Sequence, residues 1–283
     1  MSLAITKQQT IVQYTKLTGA MDKHDVIATE YALTIYLGER EMATIVCTPN
    51  HVEEMVVGFL ASEGIIRSFD EITALKILPY RGAVHVTTST AHTFSQNQFQ
   101  KRYIASCCGR SRQSFYFYND ATTAKRVDDP VTIDANQVFA LMTSLEEEAA
   151  LFHETGGVHS AKLCDSYGVG TVRTDIGRHN ALDKLYGYSL MQKMDVQGKV
   201  IVFSGRLSSE VLLKVAKIGV GIVIAKSAPT ALALTIAQEL HITTIGFVKE
   251  QTFNVYTYPN RIIMTADEAR SEIACTYPSM DKK

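Results

Sequence analysis

The carboxy-terminal third constrains the fold most, because short runs of β-branched residues alternate there with helical patterns. The runs lie at residues 199–203, 220–225 and 243–248, and apolar residues at helical spacing span 209–218 and 230–240 between them. Such alternation is typical of parallel strands that are joined by right-handed helical crossovers. This third of the chain is therefore predicted to be an α/β unit built on an open parallel sheet.

The amino-terminal part is predicted to form a smaller α+β unit. Residues 27–37 and 41–47 have the alternation of a hairpin around Gly38. Asn50 is placed to cap a helix over residues 51–66, whose apolar positions fall on one face. Two further strands are predicted at residues 72–78 and 83–88.

A polar stretch without periodicity, residues 119–130, indicates a connection between the two parts. After it, Asp134 and Gln137 have the spacing of a capping box, and Gly156 and Gly157 are expected to end the helix that begins there. The apolar positions of this single helix are Val138, Leu141, Met142, Leu145, Ala149 and Phe152. We predict two domains, over residues 1–128 and 129–283.

Charge and cysteine count exclude some classes of function. The chain has 283 residues and a formal net charge of −1, so it lacks the global positive field that nonspecific nucleic-acid binding uses. Its five cysteines, an odd number at irregular spacing, do not make a disulfide framework. The first residues lack the pattern of a secretion signal, and no apolar stretch reaches about 18 residues. We expect a cytoplasmic protein that binds neither nucleic acid nor membrane.

Two adjacent cysteines, Cys107 and Cys108, lie among fixed positive charges. The cations are Lys101, Arg102, Arg110 and Arg112. Such surroundings lower the pKa of a thiol below its free value of about 8.5. Many cysteines are instead inert core residues, but Gly109 and the polar flanks indicate a loop over about residues 100–114. We interpret Cys107 and Cys108 as reactive, and we interpret Cys47, Cys164 and Cys275 as structural.

Cations follow each of the three predicted parallel strands. In an open parallel sheet, ligands bind beyond the carboxyl ends of the strands, where this chain carries Arg206, Lys226 and Lys249. Two of these segments precede helices, whose amino-terminal amides favour anions. Gly205 and Ser227 are small enough for a ligand to approach the backbone. These residues predict a phosphate-bearing or otherwise anionic ligand, although strand ends are also common places for solvated lysines.

Two histidines lie beside glycines at predicted turns into helices. His159 follows Gly156 and Gly157, and His179 lies four residues after Asp175. Histidines at such turns suit ligand contact or acid–base chemistry, but Asp175 and His179 also have the spacing of a structural helical pair. Both interpretations stay open at this point.

Metal-binding patterns are missing from the sequence. It contains no Cys-x-x-Cys and no His-Glu-x-x-His. His51-Val52-Glu53 matches half of the zinc deaminase signature, but the Pro-Cys-x-x-Cys half is absent. We therefore predict no structural metal, and a zinc-dependent nucleobase deaminase is disfavoured.

Six short segments together resemble the FdhD/NarQ family of formate dehydrogenase accessory sulfurtransferases. They are ASCCG at 105–109, TGGVHSA at 155–161, DIGRHNA at 175–181, SGR at 204–206, SAPT at 227–230 and GFVK at 246–249. No segment is specific alone, but they run in family order from about residue 20 to 265.

The resemblance implies both a fold and a function. It implies a cytidine-deaminase-like α/β/α domain without zinc, plus a smaller amino-terminal α+β domain, in a cytoplasmic homodimer. It also implies a sulfur carrier that accepts sulfane sulfur from a cysteine desulfurase as a persulfide. The sulfur then passes to the molybdenum cofactor, a bis(molybdopterin guanine dinucleotide), before the cofactor enters formate dehydrogenase.

Site residues carry over by position. The family's persulfide cysteine precedes a glycine, which matches Cys108, with Cys107 as a neighbour of open role. The cofactor-contacting segment matches Phe247, Val248, Lys249, Glu250, Gln251 and Thr252. Gly205, Arg206 and Ser227 are added by the argument from the sheet edge.

This chain departs from the family pattern in the cysteine loop. Many members have Cys-x-x-Cys there, whereas this chain has Ser111 at the second position. A disulfide cycle through that pair is therefore excluded, but persulfide transfer through one sulfur is not. The alternative function is a non-catalytic chaperone that binds the molybdenum cofactor.

Overall fold

The computed structural model describes residues 3–89, 102–104 and 124–263. The described part is a mixed α/β structure, as predicted, and it contains four sheets. The cytidine-deaminase-like arrangement and the domain boundary near residue 128 stay predictions.

The first element is a long antiparallel hairpin that the sequence patterns did not predict. It consists of β1 (Thr6–Thr15) and β2 (Gly19–Ala28), which pair along their whole length. Because Ile27 and Ala28 pair with β1, the predicted strand over residues 27–37 is wrong in its first residues. The hairpin around Gly38 is confirmed, between β3 (Tyr31–Leu37) and β4 (Arg40–Cys47).

A five-stranded sheet carries the amino-terminal core. Its remaining elements are α1 (Val52–Ser62), β5 (Ile72–Leu78), β6 (Ala83–Thr88) and β7 (Arg102–Ile104). The strand order is β5-β6-β3-β4-β7, and the two predicted strands over 72–78 and 83–88 are confirmed. The apolar face of α1, including Met55, Val56 and Leu60, is buried in the same core as the inner faces of β3, β4 and β6.

Asn50 does not cap α1, so that prediction is wrong. The residue at the cap position is His51, whose φ of 50° is left-handed and whose side chain makes no cap hydrogen bond. Asn50 Oδ1 instead accepts hydrogen bonds from Thr48 Oγ1 at 2.6 Å and Lys184 Nζ at 2.8 Å. Lys184, which is distant in sequence, therefore binds the Asn50 side chain that the local sequence predicted to cap the helix. The helix also ends earlier than predicted, at Ser62.

The rest of the described chain alternates strands and helices around a six-stranded sheet. Its elements are β8 (Ile133–Asp134), α2 (Ala135–Glu148), α3 (Ala150–Thr155), β9 (His159–Cys164), β10 (Gly170–Asp175), α4 (Arg178–Met191), β11 (Val200–Phe203), α5 (Ser209–Ile218), β12 (Ile222–Ala225), α6 (Ala231–Glu239), β13 (Thr243–Gly246), β14 (Asn254–Thr257) and β15 (Ile262–Ile263). The sheet has the order β10-β9-β11-β12-β13-β14, and β8 pairs separately with β15. Strands β11, β12 and β13 are parallel, which confirms the predicted crossovers.

Helices cover both faces of this sheet. Val202 and Ile224 on one face share a core with α2 residues such as Leu141. Phe203 and Val223 on the other face lie in a core with residues of α4, α5 and α6. The alternation along β11 and β12 therefore gives three layers, α/β/α, around the parallel strands.

The predicted helix over residues 134–155 is confirmed at its ends but broken inside. Asp134 accepts a hydrogen bond from Gln137 N, and Gln137 accepts one from Asp134 N, both at 2.8 Å, as the capping box requires. Ala149 leaves helical geometry between α2 and α3. The break turns Phe152 away from the core, so its side chain is 46% exposed. Gly156 ends α3 with a φ of 63°.

Helices α1 and α4 pack with their backbones in close contact. A Cβ at Gly58 would lie 1.8 Å from Asp183 O, and a Cβ at Gly187 would lie 1.7 Å from Glu54 O. Only glycine permits this approach at either position, because any Cβ would overlap the facing backbone. The contact holds the amino-terminal sheet and the six-stranded sheet together.

Charged pairs surround this helix contact. Arg173 donates to Glu54 with Nη2–Oε1 at 2.8 Å, and Lys214 forms an ion pair with buried Asp183. Burial alone would raise the pKa of Glu54, but hydrogen bonds from Arg173 and His51 more than offset it and lower that pKa to about 2. The Glu54 carboxylate thus stays ionised between the two units.

Candidate functional site

The carboxyl ends of β11, β12 and β13 meet at one edge of the six-stranded sheet. Each following segment is bonded to the neighbouring strand. Ser204 N donates to Ser160 O at 3.0 Å, Lys226 N to Phe203 O at 3.1 Å, and Val248 N to Ala225 O at 3.4 Å. The predicted ligand edge is therefore built from segments that are fixed to one another.

A groove of about 640 Å³ opens at this edge, between α2 and the segment after β13. Its lining residues are Phe139, Met142, Thr143, Glu146, Lys226, Val248, Lys249, Glu250, Gln251 and Thr252. The volume is within the range of about 300 to 1,000 Å³ that is usual for small-molecule sites. Five of the six residues carried over from the family segment line this groove, and two of the cations that the sheet-edge argument singled out, Lys226 and Lys249, are among the lining residues.

The groove combines an apolar wall with charges of both signs. Met142 and Val248 are buried beneath it, and the Phe139 ring is held edge-on to Phe253, with ring centroids 5.1 Å apart. Lys226 Nζ forms an ion pair with Glu146, and both side chains are partly exposed, at 56% and 44%. Such a groove can take a planar ring on the wall and an anion beside the lysine.

The turn after β13 is held in place by its own backbone. Lys249 N donates to Thr252 O at 2.9 Å, which closes the segment that carries Lys249, Glu250 and Gln251. Lys249 and Glu250 are both exposed. The turn therefore presents a second cation to the groove from a fixed backbone.

Phe247 begins this turn in a strained conformation. Its φ is 54°, in the left-handed region, its N–H donates to Ser227 O at 3.4 Å, and its ring is 41% exposed. A left-handed backbone costs a residue with a Cβ about 1 to 2 kcal/mol. Strain of this kind persists where the surrounding structure holds it, often at ligand sites.

Replacing Phe247 with alanine and with glycine separates the backbone from the ring. Both changes remove the ring equally, but glycine adopts a φ of 54° without strain. We expect Phe247→Gly to be more stable than Phe247→Ala by about 1 kcal/mol, in urea unfolding at equilibrium. The same pair at Phe152, in ordinary helical geometry, should show alanine as the more stable residue. Equal stabilities at position 247 would contradict the strain.

The three residues added by the sheet-edge argument lie at the same edge but outside the groove lining. Gly205 is buried, and a Cβ there would lie 2.8 Å from the Phe203 ring and 3.4 Å from Arg178 Cβ, so packing explains this glycine. Arg206 is exposed. Ser227 Oγ donates to Ser204 O at 3.4 Å. Of the predicted cations, the groove brings together Lys226 and Lys249 but not Arg206.

Asp175 has a structural role. Its carboxylate accepts hydrogen bonds from Thr48 N at 3.0 Å, Gly177 N at 2.8 Å and Asn180 Nδ2 at 2.9 Å, and Lys184 Nζ lies 2.7 Å away. The contacts with Thr48 and Lys184 join the end of β10 to the segment after β4 and to α4. These contacts support a structural role for Asp175, whose buried charged partner is Lys184.

The two histidines occupy different elements. His159 begins strand β9, so the prediction that residues 156–160 turn into a helix is wrong. Burial lowers the pKa of His159, Arg178 lowers it further, and Asp175 acts in the opposite direction. His179 lies near the start of α4, with Nε2 3.5 Å from Glu210 Oε2. His179 thus follows a turn into a helix, as predicted.

Cys107 and Cys108 lie outside the described residues, as does Cys275. The two cysteines within the described ranges, Cys47 and Cys164, are both buried. Burial raises the pKa of each thiol to about 12, so neither is a thiolate at neutral pH. Their chemistry agrees with the structural role predicted for them.

Sequence reasoning missed the α2 wall of the groove. Phe139, Thr143 and Glu146 lie on one stripe of the helix, at i, i+4 and i+7, beside the stripe that enters the core. An apolar ring on an otherwise polar stripe was the available signal. The Phe139 ring lines a groove only because α2 faces the segment after β13, which is about one hundred residues away in the sequence.

The described residues show neither a metal-binding cluster nor a membrane-spanning helix. Within them, no group of three or more His, Cys, Asp or Glu side chains is arranged to hold a metal ion. Of the helices in the same ranges, none combines the length and apolar character needed to cross a bilayer.

Comparison with known proteins agrees with the resemblance seen in the sequence. The FdhD/NarQ family model matches residues 28–263. A sulfur carrier protein FdhD from Halalkalibacterium halodurans is 52% identical over 89% of this chain and 94% of its own length. The protein of that name from Bacillus subtilis is 53% identical over 84% of this chain and 90% of its own.

A crystal structure shares the fold. It is a candidate formate dehydrogenase accessory protein from Desulfotalea psychrophila, with a TM-score of 0.73 and 23% identity, and the match covers 92% of this chain and all of that one. The family match and the two curated relatives each span most of the sequence. The chain belongs to the FdhD/NarQ family.

Proposed function

We propose that this protein is a sulfur carrier required for formate dehydrogenase activity. It accepts sulfane sulfur from a cysteine desulfurase as a persulfide on Cys108. It then passes that sulfur to the molybdenum cofactor, a bis(molybdopterin guanine dinucleotide), before the cofactor enters formate dehydrogenase. Relatives that are about half identical over most of their length are named sulfur carriers, and the family resemblance supplies the finer steps.

The observation that carries the proposal is the groove at the sheet edge. It offers Lys226 and Lys249 to phosphates and an apolar wall to a ring, in a volume suited to one nucleotide unit. The molybdenum cofactor has both features, since it carries guanine nucleotides. In this proposal it is the substrate of the carrier, and residues 247–252 are its main contacts.

The position of β7 supports a role for the cysteine segment near this edge. Strand β7 runs parallel to β4, with Ile104 opposite Ile45. Strand β4 continues from Ile45 to Cys47, and the next residue, Thr48, donates through its N–H to Asp175 at the end of β10. Cys108 follows Ile104 by four residues in the sequence. Strand β7 itself runs toward the end of β4 that is bonded to the six-stranded sheet.

The sulfur-accepting step follows ordinary thiol chemistry. The Cys108 thiolate attacks the outer sulfur of the desulfurase persulfide. The S–S bond of that persulfide breaks, and the desulfurase cysteine leaves as a thiolate. The transferred sulfur is then the outer sulfur of a Cys108 persulfide, which is either protonated or an anion. Lys101, Arg102, Arg110 and Arg112 stabilise the anions before and after the transfer. Because Ser111 replaces a second loop cysteine, Cys108 works without that resolving thiol.

The remaining assignments rest on the family resemblance. We place the carrier in the cytoplasm as a homodimer, with the desulfurase and formate dehydrogenase as its protein partners. Its larger domain is proposed to have the cytidine-deaminase-like arrangement without zinc.

Sulfur loading tests the proposal directly. Wild-type protein, Cys107→Ala and Cys108→Ala are incubated with a cysteine desulfurase and L-cysteine, and the intact masses are measured. Wild type and Cys107→Ala are expected to gain one sulfur atom that a reductant removes, and Cys108→Ala is expected to gain none. Cys108→Ala that loads sulfur, or that still supports active formate dehydrogenase, would contradict the assignment.

The same experiment addresses the alternative. A wild-type protein that gains no sulfur from an active desulfurase, yet binds guanine nucleotides, would be a non-catalytic chaperone for the cofactor.

A further inference from the structure

We propose that Glu146 on α2 selects guanine over adenine in the groove. The inference rests on the proposed function, because it takes the ligand to be a nucleotide, and it adds the residue that reads the base. Glu146 belongs to none of the segments that carry the family resemblance, and only the fold brings it to residues 248–252.

The groove has two kinds of charge for two parts of a ligand. Lys226 and Lys249 suit the phosphates, whereas the carboxylates of Glu146 and Glu250 repel them. A carboxylate beside a ring site can only accept hydrogen bonds. The ligand must therefore present N–H donors to at least one of these carboxylates while its anionic part contacts the lysines.

Guanine meets that requirement with two adjacent donors, whereas adenine offers only its 6-amino group beside an acceptor nitrogen. Guanine carries the ring N1–H and the 2-amino group side by side, so a carboxylate accepts both at once. Adenine has an unprotonated ring nitrogen between its edge groups, and its lone pair opposes a carboxylate. Phe139, Met142 and Val248 form the apolar wall against which the ring lies.

Glu146 is better placed than Glu250 to read the base. It lies within the fourteen-residue helix α2, whereas Glu250 is exposed on the turn after β13. Groups on rigid elements hold a ligand geometry more closely than groups on turns. Glu146 is also on the same helical stripe as Phe139, so the carboxylate and the wall are aligned along one element.

The ion pair between Glu146 and Lys226 supplies the mechanism. Without ligand, each of these two partly exposed groups has the other as a partner. A guanine nucleotide replaces both contacts of the ion pair, because its phosphate binds Lys226 and its guanine N–H groups donate hydrogen bonds to Glu146. The phosphate of an adenine nucleotide would also bind Lys226. The Glu146 carboxylate would then face the unprotonated ring nitrogen of adenine, and two acceptors in contact are unfavourable.

Nucleotide binding to the full-length protein tests this role. Isothermal titration calorimetry with GDP, ADP and inosine diphosphate is carried out on wild type, Glu146→Gln and Glu147→Gln. Glu147 is the matched control, since it is the next residue of α2, is exposed and does not line the groove. Wild type is expected to bind GDP at least about tenfold more tightly than ADP, with inosine diphosphate between them because it lacks the 2-amino group.

The variants separate base reading from a purely structural role. Glu146→Gln is expected to weaken GDP binding about tenfold or more and to leave ADP binding unchanged, whereas Glu147→Gln keeps the wild-type ratio. Lys226→Met is expected to weaken GDP and ADP by the same factor, because both carry phosphates. A Glu146→Gln protein that keeps the wild-type preference, or that loses GDP and ADP affinity equally, overturns the proposal.

Sulfur loading of Cys108 on the same samples keeps this test separate from the proposed function. Protein that loads sulfur but does not distinguish GDP from ADP overturns the role of Glu146 alone. Protein that prefers GDP through Glu146 but loads no sulfur supports the base reading and overturns the sulfur carrier.

Discussion

Gly58→Ala is expected to destabilise the protein by about 3 kcal/mol or more, although alanine is the better helix former. Helix propensity alone favours alanine over glycine by about 1 kcal/mol. The new Cβ, however, would lie 1.8 Å from Asp183 O on α4, and both atoms belong to backbones that no side-chain rotation can move. Helices α1 and α4 must separate, which costs packing along their whole contact. Urea unfolding at equilibrium measures the loss.

The control for this change is Gly157→Ala. Position 157 has no atom closer than 3.7 Å to an added Cβ, so the same substitution should change stability by less than about 1 kcal/mol. A stable Gly58→Ala protein would show that the two helices do not pack as closely as described.

Lys184→Met is expected to cost about 3 to 5 kcal/mol. The Lys184 ammonium and the Asp175 carboxylate are both fully buried, 2.7 Å apart. Lys184 Nζ also donates to Thr48 Oγ1 at 2.7 Å and Asn50 Oδ1 at 2.8 Å. Removing the ammonium leaves a carboxylate buried without its countercharge and takes one hydrogen-bond donor from each of two oxygens. Thermal and urea unfolding both report this loss.

A double-mutant cycle tests whether charge pairing is the cause. The double variant Lys184→Met with Asp175→Asn removes both charges, so its loss should be smaller than the sum of the two single losses by at least about 1 kcal/mol. Losses that simply add would show that the two residues contribute independently. Lys193→Met is the control, because the side chain of Lys193 is 69% exposed in its pair with Asp70 and such pairs contribute about 1 kcal/mol or less.

Local sequence patterns were sufficient for elements that depend on neighbouring residues. The strands over 72–78 and 83–88, the helix over 209–218 and the Asp134 capping box were predicted as the structure has them. In each case the alternation, the helical spacing or the cap lies within a few residues of chain, so nothing distant had to be known. The hairpin β1–β2 was missed because its polar residues outnumber its apolar ones and its alternation is weak.

Predictions of local structure failed where tertiary contacts act against the preference of the local sequence. Asn50 has the sequence of a helix cap, but Lys184, 134 positions away, takes its side chain into a buried network. Phe152 continues an apolar period, but the break at Ala149 leaves it partly exposed. Local propensity is a weak preference that tertiary contacts of a few kcal/mol override.

The sequence by itself determined the parallel α/β core and the family, because both depend on residue types at short or ordered spacing, and it also supplies the prediction of a reactive cysteine segment. Tertiary structure decided which cations share a groove, that α2 forms its wall, and that α1 and α4 meet at two glycines. These features join residues as far apart in sequence as Glu54 and Gly187, and no local period encodes such a pairing. Only the packing of the chain brings Glu146 to Lys226. The proposed selection of guanine over adenine depends on this contact.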